Sequence, residues 1–491
     1  LGCSDLVIHA SDYLLFRACP RSLHLKLSGQ SLPVRFPADE QFPVPSDRAI
    51  VQDLLRTRFP GGSQPSEPLS ADTAAGAEAS KQVLFRACCG IEPFLACADV
   101  LHPQKPDGVA AVLARETTSV KESHLTEAAF LLWCFTECNV PLQKIYIYHL
   151  QKNYESEGDI DPDTLFAVRD VSRRAEKQLE VERGSMENLR SLLEHDPLLE
   201  QFRDAPCGRP QRCPVCATPG QTPAMGDLST LHKGGKLAGE LREEGYSLLQ
   251  DVPETRLSDR RHRIQRSSLL SGKPHTDQLR LRGFLESLEY PLHYLDFEAT
   301  SEAVPRFARV RPWEHIAYLF SLHWQESPGA TASHIDFIMA PGRDERLAMA
   351  DELISAVGER GSIVVYSAGF EKGILTRLAQ ALPERADALK ELISRVVDLL
   401  DPFSQFAYYH CAQEGKLSLK RVLPLLTGQT YADESVADGY TANVAYRYLT
   451  HHTHLSPEER DSILGDLRSY CRMDTQAMVA IVDQLHSLLL E

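Results

Sequence analysis

The stretch His293-Tyr294-Leu295-Asp296-Phe297-Glu298-Ala299-Thr300 constrains the fold more than any other in the chain. Its short apolar run reads as a buried strand. Side chains alternate along a strand, so Asp296 and Glu298 share one face while Leu295 and Phe297 take the other. Two carboxylates side by side on an apolar strand repel each other and lose hydration, which is costly unless a cation lies between them. A divalent metal meets that need, and oxygen-only ligands favour magnesium or manganese. For an isolated D-x-E the alternative is a strand end whose acids reach solvent or pair with arginine. The rest of the chain has to decide.

At 491 residues the chain exceeds what one core normally supports, and two or three domains are expected. A net charge of −16 argues against gripping nucleic acid by bulk charge, although a nuclease can concentrate basic residues in one groove. No run of about 18 apolar residues suggests a membrane span, and no secretory signal is visible at the N-terminus. Twelve cysteines are scattered along a long chain, which favours thiols and metal ligands in a reducing cytoplasm over disulfides.

The N-terminal part opens with a helical stripe capped at Ser11 and interrupted by Cys19-Pro20-Arg21. A helix is expected near 46–58. Two strand-like runs lie between Phe94 and Ala114, the first carrying Asp99. Residues 122–138 read as an amphipathic helix, and Lys144 to Leu150 as a strand. Further on, Cys213 and Cys216 form a C-x2-C pair that can reach one metal from a tight turn. Cys207 makes a third ligand, and Cys19 is the best fourth. Zinc and a [4Fe–4S] cluster both suit such a set, and free cysteines in a loop are the alternative.

This order of features resembles the RecB-like PD-(D/E)XK nucleases, several of which staple their ends with a four-cysteine iron–sulfur cluster. The resemblance implies an α/β nuclease fold over 1–218. Its active-site signature is poorly met. Leu113 and Arg115 stand where an acid and a lysine belong, and Leu131 and Phe135 replace the usual glutamine and tyrosine. A leucine cannot hold a metal with Asp99, so a degenerate domain with a structural or nucleic-acid-binding role is expected.

Residues 219–288 read as a helical connector. Its stretch from Arg256 to Arg266, with Arg260, Arg261 and Arg263, is the most basic in the chain. It is a candidate nucleic-acid groove, or simply a solvated helix face. In 289–491 further acids follow the opening strand. Glu371 falls in the first turn of a helix at a strand's carboxyl end, where open sheets place ligands. Tyr470 and Asp474 are four apart, so they share a helix face.

That series of D-x-E, a later acid and Y-x-x-x-D resembles the tyrosine variant of the DEDD exonucleases, with their ribonuclease H-like mixed sheet flanked by helices. The chain as a whole is similar to a bacterial family of unknown function joining a RecB-like half to such an exonuclease half. The shared stretches include Tyr294 to Glu298, Phe370-Glu371, Ser418 to Pro424 and Tyr470 to Thr475. Departures include Ser367 where asparagine is usual and Glu371 in place of an aspartate. The resemblance implies a metal-dependent 3′–5′ exonuclease acting on DNA or RNA, on an end that is single-stranded. Asp296, Glu298, Glu371 and Asp474 would hold two Mg²⁺ or Mn²⁺ ions about 4 Å apart. Tyr470 would orient the attacking water, and Lys420 would contact the nucleic acid. A catalytically inactive nucleic-acid-binding scaffold is the competing expectation.

Overall fold

The computed structural model describes all residues except 1–5, 33–37, 70–81, 105–107, 141, 206, 208–212, 214, 217–223, 432–435, 437 and 491. The protein is α/β and divides into two compact units. The first comprises residues 1–37, 45–219 and 302–314, and the second 38–44, 220–301 and 315–491. The stretch expected as a connector therefore lies within the second unit from residue 220 onward. The reason is apolar burial within that unit: Ile264 packs with Phe406 and Tyr409, and a short strand at His275–Thr276 pairs with Tyr408–Tyr409.

The first unit is built on five strands: β1 (Leu84–Ile91), β2 (Phe94–Pro103), β3 (Val109–Arg115), β4 (Leu142–Leu150) and β5 (Phe166–Asp170), hydrogen-bonded in that order. Neighbours are antiparallel except β3 and β4, which are parallel and joined by the crossover helix Glu122–Glu137. Every residue of β3 is buried, as its unbroken run Val-Ala-Ala-Val-Leu-Ala requires of a central strand. Phe130, Trp133 and Phe135 of the crossover helix fill the core, with Leu113 of β3 in the same cluster.

Local sequence explains most boundaries here. Ser46 caps the helix Asp47–Thr57 by accepting from the Ala49 N–H. The first helix, Ala10–Ala18, is capped at His9 rather than at Ser11, because the Asp12 carboxylate accepts from the His9 N–H at 2.9 Å. Cys19 breaks it, and Pro20 opens the next helix at the position where its missing N–H costs nothing. Against the expectation of thiols alone, Cys88 and Cys97 are joined by a disulfide, since the β1–β2 register sets them directly opposite.

In the second unit the short β6 (His275–Thr276) precedes the strands of a five-stranded mixed sheet. These are β7 (Leu292–Thr300), β8 (Ile316–Gln325), β9 (Ser333–Ile338), β10 (Ile363–Val365) and β11 (Val396–Asp398), and β12 (Tyr408–Tyr409) pairs with β6. The sheet order is β11-β10-β7-β8-β9. β7, β8 and β9 run antiparallel in succession, whereas β7, β10 and β11 are parallel. The D-x-E strand is thus the sheet's centre, as its apolar run suggested.

The last helix, Pro457–Ser487, starts ten residues before the Leu467 expected from its apolar stripe. Ser456 and Glu459 form a reciprocal capping box with Pro457 in the first turn, a start signal stronger than periodicity. Its Ala477, Met478, Ile481 and Val482 bury against a cluster that includes Leu292 and Tyr294. The even positions of β7 therefore face this helix.

Gly361 fixes the entry to β10. Its φ is +88°, and an added Cβ would lie 2.0 Å from the Pro291 carbonyl oxygen. Gly361→Ala should therefore cost about 2–4 kcal/mol of stability, read by denaturant unfolding. A loss within about 0.5 kcal/mol would show that the backbone yields there.

Candidate metal centres

Following β7 beyond Tyr294, the face that meets the last helix turns from apolar to acidic. Asp296 and Glu298 come next on that face, and Asp474 and Tyr470 are what the helix presents one and two turns before Met478. One carboxylate oxygen from each of Asp296, Glu298 and Asp474 lies within 4.8 Å of the other two. The helix is pinned beside them by Thr475, whose hydroxyl lies 2.8 Å from both Ser321 Oγ and His323 Nδ1 on β8. Ser321 is also 2.9 Å from His334 Nε2, and it pairs with Asp296 in the β7–β8 ladder.

Burial and mutual repulsion shape the electrostatics. The Asp296 carboxyl is pushed well above the usual range, first by desolvation and then by Asp474, Glu298 and Glu371. Glu298 is pushed up to about 8 by burial and by Asp474, with Lys420 opposing. The Cys471 thiol donates to Asp296 Oδ2 at 3.2 Å, and the Tyr431 hydroxyl donates to Asp474 Oδ1 at 2.6 Å. The Lys420 ammonium sits 4.6 Å from the centre of the Tyr470 ring and 5.2 Å from that of Tyr431. Burial, then the acids Asp474, Glu298 and Asp296, raise the Tyr470 phenol, so it remains a hydrogen-bond donor at neutral pH.

Glu371 stands outside the convergent trio. It lies in the first turn of the helix Gly369–Ala381, as expected, and is 3% exposed. Its Oε2 is buried without a hydrogen-bond partner among the described residues, and burial, with Asp398 as a smaller contributor, pushes its carboxyl up to about 8. The turn leading into this helix is organised by Asp398 at the end of β11. That carboxylate accepts from the N–H groups of Ser367 at 2.9 Å, Ala368 at 2.8 Å and Leu400 at 2.9 Å. Ser367 adopts φ +77°, a left-handed conformation that asparagine tolerates better than serine.

Sequence reasoning missed Tyr431, the contact of Cys471 and the turn-forming role of Asp398. Tyr431 carried no signal, being a lone aromatic in a polar loop. Cys471 was legible in principle, because position 471 falls between Tyr470 and Asp474 on a helix. The arginines proposed as a groove are engaged within the protein. Arg260 pairs with Asp277 at 2.9 Å and Arg261 with Asp259 at 2.7 Å, while Arg263 donates to the carbonyls of Leu257 and Ser258. These contacts tie the arginines of the helix Arg260–Ser271 into the local fold, while Arg263 stays exposed and Arg260 and Arg261 partly so.

In the first unit, Cys19, Cys207, Cys213 and Cys216 converge, their sulfurs all within 4.8 Å of one another. Cys19 and Cys216 sulfurs are 3.4 Å apart. Desolvation opposes ionisation of Cys213, yet N–H groups of Cys216 and Val215 and neighbouring thiols bring it down to about 7, while burial drives Cys216 up to about 12. Four sulfurs at this spacing are the donor set of a tetrahedral thiolate site. They suit a metal, and zinc and an iron–sulfur cluster place the same demand on them.

A family described as a domain of unknown function, DUF2779, matches residues 293–418, a span that begins at the D-x-E strand and ends before Lys420. A search of curated proteins and one of solved structures each returned no match. No helix among the described residues is long and apolar enough to cross a membrane.

Two outcomes follow from these geometries. Native Glu298 holds its proton up to about pH 8, whereas the unfolded chain releases it near the ordinary carboxylate range. The native state therefore binds more protons in that window, and the group costs stability as pH rises. Glu298→Gln should gain stability relative to wild type between about pH 5 and about pH 8 in metal-free buffer, measured by calorimetry. Mn²⁺ should raise the wild-type Tm more at the upper end, because metal binding needs the ionised form. A flat difference between the two proteins would contradict this. For the cysteines, Cys207→Ser should strip bound iron or zinc, measured by elemental analysis after oxygen-free purification, whereas Cys411→Ser, outside the group, should not.

Proposed function

We propose that the second unit is a metal-dependent 3′–5′ exonuclease of the tyrosine-type DEDD kind, on a ribonuclease H-like sheet. The observation that carries this reading is the convergence of Asp296, Glu298 and Asp474 beside Tyr470. A five-stranded mixed sheet with the D-x-E strand at its centre and helices packed on it supports the fold assignment. The donor set fits a hard divalent ion. Three carboxylates cluster, burial and mutual repulsion push Asp296 and Glu298 upward with Lys420 opposing at Glu298, and a buried Glu371 oxygen has no hydrogen-bond partner among the described residues.

In this reading Asp296, Glu298 and Asp474 hold one Mg²⁺ or Mn²⁺, and Glu371 is the further carboxylate available to a second. When bound, such ions lower the pKa of a water and stabilise the leaving 3′ oxygen. The protein's own groups do the rest. Cys471 orients Asp296, Tyr431 orients Asp474, and Asp398 shapes the turn that sets Glu371 in place. Tyr470 offers a protonated phenol to orient the attacking water. Lys420, stacked on two tyrosine rings, supplies fixed positive charge for a phosphate.

For the first unit a specific observation favours a non-catalytic role. Where a nuclease of the PD-(D/E)XK kind would place a metal, the Arg115 guanidinium lies 3.4 Å from Asp99 and 2.6 Å from Glu127. We propose that this unit keeps a nuclease-like fold, carries a thiolate metal site, and performs no hydrolysis.

The test is digestion of labelled single-stranded DNA and RNA with Mn²⁺ or Mg²⁺. Wild type should shorten the 3′ end, Asp296→Ala should abolish shortening, and Tyr470→Phe should slow it about 100-fold. Shortening that survives in Asp296→Ala overturns the assignment. Binding by wild type without shortening leaves the scaffold reading in its place.

A further inference from the structure

Beside Asp99 the first unit contains a cavity of about 440 Å³ whose lining includes Arg48, Gln52, Arg56, Arg86, Asp99 and Glu127. Its two acids are already served. Asp99 accepts from Gln52 Nε2 at 2.6 Å and from the Ala114 N–H at 2.7 Å, and Arg115 lies behind it. Glu127 is held between Arg115 and the Arg48 guanidinium, 2.9 Å away. Arg115 is 1% exposed, so this pairing is fixed in the interior and leaves no anionic pocket for a divalent ion.

Two guanidinium groups remain for the cavity. Arg56 has one acid near it, Asp53 at 3.3 Å, whose side chain is 74% exposed, a pairing that water and salt weaken. Arg86 forms no ion pair among the described residues. In the β1–β2 register Phe85 pairs with Val100 and Ala87 with Ala98, leaving Arg86 outside the ladder, and it lines the cavity together with Cys97 and Asp99. Arg86 holds φ +49°, uncommon for a long side chain within a strand. Counting Arg115 and Asp53 with the lining gives four arginines against three acids, a surplus of positive charge where a metal-dependent nuclease needs an acidic pocket.

We infer that this cavity is a metal-independent receptor for a phosphate group carried on a nucleotide-sized body, with Arg56 and Arg86 as its recognising residues. Guanidinium forks match phosphate oxygens in pairs, and more than one arginine suits a dianion better than a carboxylate. The cavity's volume falls within the range of small-molecule sites. Arg115 has in effect taken the place of a divalent ion. It neutralises the acids permanently and leaves the remaining positive charge for a ligand.

The test uses the full chain carrying Asp296→Ala, in EDTA, so that the acidic centre of the second unit contributes neither hydrolysis nor metal-bridged binding. The probes are a 5′-phosphorylated tetranucleotide, its 5′-hydroxyl counterpart and inorganic phosphate, followed by calorimetry. The phosphorylated tetranucleotide should bind without divalent ion and more tightly than either other probe. Arg86→Gln and Arg56→Gln should each weaken it about 10-fold, with unchanged melting to show that the fold is kept. Binding that appears only with Mn²⁺, equal binding of the two oligonucleotides, preferred binding of inorganic phosphate, or affinity unaltered in both variants would overturn the proposal. Loss of exonuclease activity in the second unit would not bear on it.

Discussion

Gathering carboxylates in a buried place works against their own repulsion, and the second unit depends on the packing that enforces it. The last helix lies along the centre strand of the sheet through Ala477, Met478, Ile481 and Val482. That apolar contact delivers Asp474 to Asp296 and Glu298. Burial of a Met, Ile or Val side chain contributes roughly 1.5–3 kcal/mol, which works against the cost of crowding three acids. Thr475 adds direction, since its hydrogen bonds to Ser321 and His323 fix the helix's rotation and axial position. Apolar packing holds the site's parts close, and a small polar contact sets their register.

The two units meet the same electrostatic problem with opposite solutions. In the first, the buried acids Asp99 and Glu127 pair with Arg115 and Arg48; that attraction outweighs desolvation at Glu127 and holds it below its ordinary range, whereas burial still leaves Asp99 above its own. In the second, burial and the neighbouring acids push both Asp296 and Glu298 upward, with Lys420 opposing the shift at Glu298. A guanidinium supplied by the chain is always present and needs no ion. Clustered acids without one are held at a cost that a metal relieves.

Much of this was legible in the sequence because it depends on local spacing. The alternation in Tyr294 to Glu298, the four-residue step from Tyr470 to Asp474 and the C-x2-C of Cys213 and Cys216 each convert directly into shared faces or shared turns. Cys19 is separated from its partners by nearly the whole first unit, and it was reachable only because a proline after it marks a helix start. What was not legible depends on tertiary position. Arg260, Arg261 and Arg263 form a basic run in sequence, but their contacts with Asp277, Asp259 and nearby carbonyls depend on how the chain folds back. Tyr431 and Asp398 act through loops whose path no periodicity predicts. The segments 38–44 and 302–314 fall in the unit that their flanking sequence does not suggest, because membership is decided by contacts distant along the chain.

Glu371 shows how a site residue can be placed by groups that never touch it. Its helix begins after a turn in which Ser367 takes a left-handed backbone, a conformation with a cost for any side chain but glycine. Asp398 meets that cost by accepting from Ser367 and Ala368 at once, tying the end of β11 to the start of the Glu371 helix. The same carboxylate adds to the field that raises Glu371. Asp398 therefore positions this acid and adds to the burial that makes its ionisation harder. Separation of Glu371 from the trio follows from this arrangement. Asp296, Glu298 and Asp474 are brought together by strand-on-helix packing, whereas Glu371 is set by a turn, and the two devices are adjusted independently.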